Sequence, residues 1–104
     1  MVKESKIEID VCDYARRLGW LAYKFVSPGL RGVPDRMFLK YGVTIFIEFK
    51  ATDEKPRKQQ EKRRSEIMNQ GFHVFIIDNV ETGKTIFNHL EKFFIKIPIE
   101  PTIH

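Results

Sequence analysis

Two acidic residues and a lysine stand close together in the sequence, in a pattern that suits phosphodiester chemistry. Asp35 precedes one apolar run, and Glu48 and Lys50 interrupt a second. Because side chains on a strand alternate between its faces, a strand over 44–51 would place Glu48 and Lys50 on one face. A hairpin turning at 41–42 would bring Asp35 next to Glu48. Two carboxylates and an ammonium at one end of a sheet are suited to hold a divalent metal ion beside a phosphate under attack.

Each of these side chains also has an ordinary structural interpretation. Asp35 would cap a turn, and Glu48 would pair with Lys50 on an exposed sheet face. Charged side chains seldom lie within an apolar strand unless they are paired or bind a ligand. The residue types and their spacing therefore leave both interpretations open.

The remaining pattern predicts the helices and strands that would position these residues. Apolar residues at helical spacing predict a helix over 4–18, which ends at Gly19. The predicted strands cover 20–26, 36–40, 43–51 and 72–77. The two later helices are predicted over 57–70 and 81–94. The order α-β-β-β-α-β-α predicts an α/β fold in which helices flank a mixed sheet.

Composition limits the class of protein. The length of 104 residues predicts a single domain over 1–104. A net charge of +4 and a pI near 9.3 are compatible with nucleic acid, an acidic membrane surface or simple solubility. One cysteine, Cys12, excludes an internal disulfide. The polar N-terminal residues do not resemble a signal peptide, and no apolar run is long enough to span a bilayer, so we expect a cytoplasmic protein.

Five short blocks resemble, in order and spacing, the VRR-NUC (virus-type replication-repair nuclease) family of the PD-(D/E)XK nuclease superfamily. The blocks are Glu4–Glu8, Tyr23–Gly29, Gly32–Arg36, Phe46–Ala51 and Lys55–Gln60. A lone Asp with a Glu-x-Lys is weak evidence because these residues are common, whereas the ordered set is specific. The resemblance covers about 4–80 and implies a nuclease-like α/β core. Residues 81–104 are predicted as a C-terminal helix and an apolar extension, with 93–99 an extra strand or a partner-facing segment.

The resemblance implies an endonuclease that needs Mg²⁺ or Mn²⁺ and hydrolyses DNA by attack of an activated water. Asp35 and Glu48 would hold the ion, with the backbone carbonyl of Phe49 as a further ligand. Lys50 would stabilise developing negative charge or position the nucleophile. We expect that electrostatic role, and not a general-base role, because two carboxylates lie nearby.

Two helix residues complete the predicted catalytic set. Glu8 would bind the metal directly, bind it through water, or orient a water. Glu4 competes for that role because residues four apart share a helix face. Gln60 would hydrogen-bond a water or a substrate phosphate, and Gln59 is the alternative at a shift of one residue. The ordinary interpretations are solvated carboxylates and a polar helix residue.

Basic residues predict contacts with a DNA backbone. Lys24, Ser27 and Arg31 lie in or beside a Gly- and Pro-rich stretch that leads to Asp35 and would clamp the backbone. A basic block follows at Lys55, Arg57, Lys58, Lys62, Arg63 and Arg64. Within it, Lys58, Lys62 and Arg63 are predicted to contact phosphates, which gives salt-sensitive and sequence-independent affinity. A solvated loop and a solvated helix face are the alternatives.

The expected partner is DNA, and the resemblance adds branched or Holliday-junction-like DNA. With no appended recognition domain expected, backbone geometry is a more plausible determinant than base sequence. A symmetric homodimer would place two active sites on two strands, and no membrane partner is expected. Two other classes stay open: a nuclease-fold subunit that binds DNA without cutting it, and a small basic protein-interaction module.

Overall fold

The computed structural model describes residues 2–96, which form a four-stranded sheet flanked by helices. In chain order the elements are α1 (Glu4–Arg17), β1 (Leu21–Lys24), β2 (Arg36–Lys40), β3 (Val43–Phe49), α2 (Lys58–Asn69), β4 (His73–Ile77) and α3 (Val80–Phe93). The predicted order and the predicted α/β class are confirmed. Element ends differ from the predicted ones by one or two residues. Residues 97–104 of the predicted C-terminal extension lie outside the described part of the chain.

The sheet is mixed, with the spatial order β1-β2-β3-β4. The first three strands pair antiparallel, and β4 pairs parallel to β3. Tyr41 and Gly42 connect β2 to β3 with positive φ angles of 42° and 82°, which is the backbone that a tight two-residue hairpin needs. This turn sets the register that pairs Arg36 with Ile47. The parallel pairing of β3 with β4 requires a crossover, which α2 supplies.

The hydrophobic core lies between the sheet and the helices α1 and α3. Ile47 and Phe49 of β3 are fully buried in it, together with Phe87 of α3. The two helices approach closely at Gly83, where an added Cβ would lie 2.6 Å from Cγ2 of Val11. Each large apolar side chain buried in this way stabilises the fold by roughly 1.5–3 kcal/mol.

The other face of the sheet is covered by α2, which packs against β4. Phe46 and Glu48 alternate with the core residues of β3 and lie on this face, where both are buried. None of the twelve residues of α2 is fully buried. The sheet face covered by α2 therefore carries a buried charged residue, Glu48, near the end of β3. No helix within residues 2–96 is long and apolar enough to cross a membrane.

Candidate active site

Asp35 is the residue before β2, and the register of the hairpin places it opposite Glu48 of β3. Arg36 pairs with Ile47, so the preceding residue on one strand faces the following residue on the other. Oδ2 of Asp35 accepts a hydrogen bond of 2.7 Å from the backbone N–H of Phe49. That bond holds the Asp35 carboxylate beside the end of β3. The hairpin geometry predicted from the sequence is confirmed.

Glu48 is a buried carboxylate with one open oxygen. The residue is only 3% exposed, and its Oε2 has no hydrogen-bond partner among the described residues. Burial raises the pKa of Glu48 to about 7, an effect that the charge of Lys50 opposes and that of Asp35 reinforces. Leaving a buried polar atom unpaired is costly. Glu48 is therefore poised to accept a cation or a proton.

Lys50 follows the last residue of β3 and is 4% exposed. Its backbone N–H donates to the carbonyl of Ile77 at 2.8 Å, which continues the pairing with β4 by one residue. Its Nζ lies 3.9 Å from Oε2 of Glu48 and 3.7 Å from Oε1 of Glu54. The ammonium is thus held among carboxylates at distances that are too long for good hydrogen bonds.

Two glutamates of α1 lie near the strand ends. Burial raises the pKa of Asp35, the hydrogen bond from Phe49 lowers it, and the charge of Glu8 raises it. Burial also raises the pKa of Glu4, and the charge of Asp35 adds to that shift. Both helix carboxylates therefore lie within electrostatic range of Asp35. They differ in one respect: Oε2 of Glu8 accepts a 2.6 Å hydrogen bond from Nε of Arg36, a partner that the sequence pattern did not reveal.

The Gly-rich loop before Asp35 packs against the start of α2. Gly32 has a φ of +88°, and a Cβ there would lie 2.5 Å from the carbonyl oxygen of Gln59. Only glycine fits so close to the helix. Oε1 of Gln60 accepts a hydrogen bond of 2.8 Å from the N–H of Arg57, so that oxygen is already used to cap the helix. The loop and the first turn of α2 form one surface.

The predicted phosphate-contacting residues differ in how accessible they are. Lys24, Arg31, Lys58 and Lys62 are exposed, and Ser27 is half-buried. Arg63 is also half-buried. Its Nε donates to the carbonyl of Arg31 at 3.0 Å, and Nη1 binds Oε1 of Glu66. Arg63 therefore ties α2 to the loop in addition to any role on DNA.

Arg64 is a residue that the sequence pattern placed only in the general basic block. It is half-buried on α2, and its Nε is buried without a hydrogen-bond partner among the described residues. Its positive charge lowers the pKa of Glu48. The guanidinium therefore lies within electrostatic range of the strand-end carboxylates. Only the docking of α2 on the sheet brings it there.

The donor set fits a hard divalent cation with a small number of protein ligands. Within residues 2–96, no group of three or more His, Cys, Asp and Glu side chains is arranged to hold a metal ion. Mg²⁺, however, is commonly bound by one or two carboxylates and keeps several waters. Asp35 and Glu48 supply two such carboxylates, and the open Oε2 of Glu48 is a ready oxygen donor. The chain thus offers a two-carboxylate site.

The chain is similar to proteins of known family. No family model matches its sequence. It is 41% identical over 87 residues to the candidate nuclease p44 of Acyrthosiphon pisum secondary endosymbiont phage 1, covering 83% of this chain and 94% of the phage protein. A solved VRR_NUC domain superposes with a TM-score of 0.75 over 91% of this chain and 100% of that domain, at 24% identity, which shows a shared fold. With a relative of 41% identity that spans most of both chains, the chain belongs to the same family as this phage nuclease, and its fold is that of the VRR_NUC domain.

Proposed function

We propose that the protein is a nuclease that depends on a divalent metal ion and hydrolyses internal phosphodiester bonds of DNA. One observation carries the proposal. Asp35 and Glu48 meet at one strand end beside Lys50, and one oxygen of the buried Glu48 is left without a partner. A purely structural role for these charges would leave that oxygen paired.

Asp35 and Glu48 would hold Mg²⁺ or Mn²⁺, and the backbone carbonyl of Phe49 would be a further ligand. The ion, when bound, would lower the pKa of water and offset charge on the phosphate. The N–H of Phe49 orients Asp35 for this task. Arg36 of β2 orients Glu8 of α1 in the same way, so Glu8 is well placed to position a water beside the pair.

Lys50 would stabilise the negative charge that develops on the phosphate and help to position it. Its ammonium is buried next to Glu48, and in the reaction it would face the oxygens of the phosphate under attack. A water attacks phosphorus, one phosphorus–oxygen ester bond breaks, and negative charge grows on those oxygens. A fixed ammonium stabilises that charge in a site from which water is largely excluded. Gln60 retains its side-chain NH₂ group for a water or a phosphate oxygen, since its Oε1 caps α2.

DNA would be bound through its backbone. Lys24, Arg31, Lys58 and Lys62 are exposed cations on the loop side and on α2, and Ser27 lies in the same loop. Contacts to phosphate fix position without reading base sequence. We therefore propose selection by DNA structure, with branched DNA preferred over linear duplex, as the family resemblance implies.

A homodimer is also proposed, because two copies related by a two-fold axis would present two such sites to two strands. Phe93 and Phe94 at the end of α3 are more than half exposed and supply an apolar surface for such contact. Sedimentation of the protein alone and with DNA measures this directly. A single monomeric species under both conditions would remove the dimer and leave the nuclease proposal in place.

The decisive experiment is cleavage of linear, flapped and four-way DNA in the presence of Mg²⁺, Mn²⁺, Ca²⁺ or EDTA. We expect cleavage with Mg²⁺ or Mn²⁺, none with EDTA, and faster cutting of the four-way substrate. Binding without cleavage under every metal condition would instead identify a nuclease-fold DNA-binding subunit. Equal rates on all substrates would remove the structural preference alone.

A further inference from the structure

Two buried side-chain polar atoms have no hydrogen-bond partner within the described part of the chain: Oε2 of Glu48 and Nε of Arg64. They come from different elements, β3 and α2, and α2 covers the sheet face on which Glu48 lies. The charge of Arg64 also acts on Glu48. Buried polar atoms without a partner are rare and cost free energy. An unpaired acceptor and an unpaired donor on the same side of the sheet are atoms that a bound cation and a bound anion would complete.

The other polar residues of α2 do not share this property. Arg63 is bound to Glu66 and to the carbonyl of Arg31, and Lys62 is exposed. Gln60 lies four residues before Arg64 and so on the same helix face, but its Oε1 already caps the helix. Arg64 is thus the cation of this helix that combines a buried, unused donor with an electrostatic effect on Glu48.

We propose that Arg64 binds a non-bridging oxygen of the phosphate under attack, an inference that rests on the proposed nuclease function. Arginine suits this role because its planar fork of N–H donors matches phosphate oxygens and stays charged. The cation held by Glu48 and Asp35 would meet the phosphate from one side and Arg64 from the other. Arg64 is in that case a catalytic residue, beyond the set that the sequence pattern indicates.

A competing explanation is that Arg64 only balances the charge of Glu48. The two explanations differ in their effects. If Arg64 only balances charge, Arg64→Gln strengthens Mn²⁺ binding, because a nearby positive charge is removed, and the cleavage rate at saturating metal stays unchanged. If Arg64 binds the phosphate, the rate at saturating metal and DNA falls about 10²-fold. Arg64→Lys then recovers only part of the rate, since an ammonium lacks the fork.

The test is a double-mutant cycle in which a protein substitution is combined with a chemical change in the DNA, and DNA-binding affinity is measured in Ca²⁺. DNA carrying a single uncharged methylphosphonate, scanned across the cleaved strand, is compared with native DNA for wild type, Arg64→Gln and the exposed control Lys62→Gln. At the cleaved position, we expect Arg64→Gln to lose about tenfold affinity for native DNA and almost none for the methylphosphonate DNA. Lys62→Gln should lose the same factor on both.

Equal losses for Arg64→Gln on both DNAs, or a wild-type cleavage rate at saturating metal, would overturn the inference. Circular dichroism and thermal melting show whether each variant folds. If Arg64→Gln does not fold, Arg64→Lys, which keeps the positive charge, takes its place in the comparison. Failure of the nuclease proposal looks different, because wild type itself would then leave every substrate uncut. The wild-type cleavage reaction therefore distinguishes failure of the Arg64 inference from failure of the nuclease proposal.

Discussion

Charged residues lie at both ends of the β2–β3 hairpin: the half-buried Lys40 at the turn end and the buried Glu48 at the site end. At the turn end, Nζ of Lys40 contacts the carbonyl of Leu18 and Oε1 of Glu91. The second oxygen of Glu91 accepts a hydrogen bond of 3.1 Å from Nε1 of Trp20. At the site end, Oε2 of Glu48 has no hydrogen-bond partner in the described chain, and its closest ammonium is 3.9 Å away.

The difference separates two uses of buried charge. A partly buried ion pair whose polar atoms are all hydrogen-bonded holds elements together, and removing one partner leaves the other uncompensated. A buried carboxylate with an open oxygen costs stability and persists where it has a ligand to bind. The turn end therefore fastens α3 and the connection between α1 and β1 to the hairpin. The site end is where we propose that a metal ion binds.

The largest expected effect is a loss of cleavage rate when a carboxylate at the site end is replaced, compared with the same replacement at the turn end. Glu48→Gln removes a proposed metal ligand and should lower the rate by roughly 10³-fold, as should Asp35→Asn. Glu91→Gln makes the same chemical change at the turn end and should leave the rate within a fewfold of wild type. Nicking with Mg²⁺ and circular dichroism are the measurements. A folded Glu48→Gln protein that cuts at the wild-type rate would break the comparison.

The two lysines provide a second matched pair. Lys50→Met should lower the rate by about 10²-fold with little change in Mn²⁺ affinity, because we propose that Lys50 stabilises charge and does not ligate the ion. Lys40→Met should weaken the fold and spare the rate of the folded fraction. Calorimetric Mn²⁺ titration and single-turnover cleavage measure the two quantities. A large loss of metal affinity in Lys50→Met would contradict its assigned role.

In the absence of metal, replacing the glutamate by glutamine should change stability in opposite directions at the two ends. The folded-state pKa of Glu48 is raised from 4.5 to about 7, so the folded state binds more protons than the unfolded state between these values. Stability from protonated Glu48 is present below pH 4.5 and lost as pH rises through about 7. Above pH 7, Glu48→Gln should therefore stabilise the protein by roughly 3 kcal/mol.

Glu91→Gln should instead destabilise the protein by about 1–2 kcal/mol, because Lys40 loses its carboxylate. Urea unfolding in EDTA at pH 5 and pH 8 compares both variants with wild type. Glu48→Gln should approach wild-type stability at pH 5. If both variants were less stable than wild type at pH 8, Glu48 would be as well paired as Glu91.

The α1 carboxylates sharpen the boundary of the site. Glu8→Gln should lower cleavage ten- to a hundredfold and also reduce stability, since Arg36 loses its partner. Glu4→Gln should have a smaller effect on the rate and leave stability unchanged. Cleavage and melting of the two variants are compared side by side. A wild-type rate for Glu8→Gln with a strong loss for Glu4→Gln would assign the role to Glu4.

The smallest expected effect concerns the exposed cations. Neutralising Lys58 and Lys62 together should weaken DNA binding similarly for all sequences and flatten the slope of log K against log salt by roughly two units. Arg63→Gln should in addition loosen the loop that Arg63 holds at Arg31. Binding in Ca²⁺ at several salt concentrations tests this. An unchanged slope for the lysine variant would make that helix face a solvated surface.

The predictability of the site follows the range of the interactions. Asp35 and Glu48 could be paired from the sequence because a two-residue turn and the alternation of strand side chains fix their register locally. The strand prediction was two residues too long, since β3 ends at Phe49. It still placed Lys50 beside Glu48, because the chain stays hydrogen-bonded to Ile77 after the strand ends.

The sequence by itself determined the α/β order, the hairpin and the strand-end carboxylates, because periodicity and turn chemistry are short-range. Tertiary structure alone decided which helix residues join them. The docking of α1 and α2 on the sheet lets Arg36 bind Glu8 and brings the charge of Arg64 to act on Glu48. That docking is set by packing between residues distant in sequence, such as Gly32 against Gln59. Such packing leaves no periodic signal in the sequence, so the partners of each charge appear only in the folded molecule.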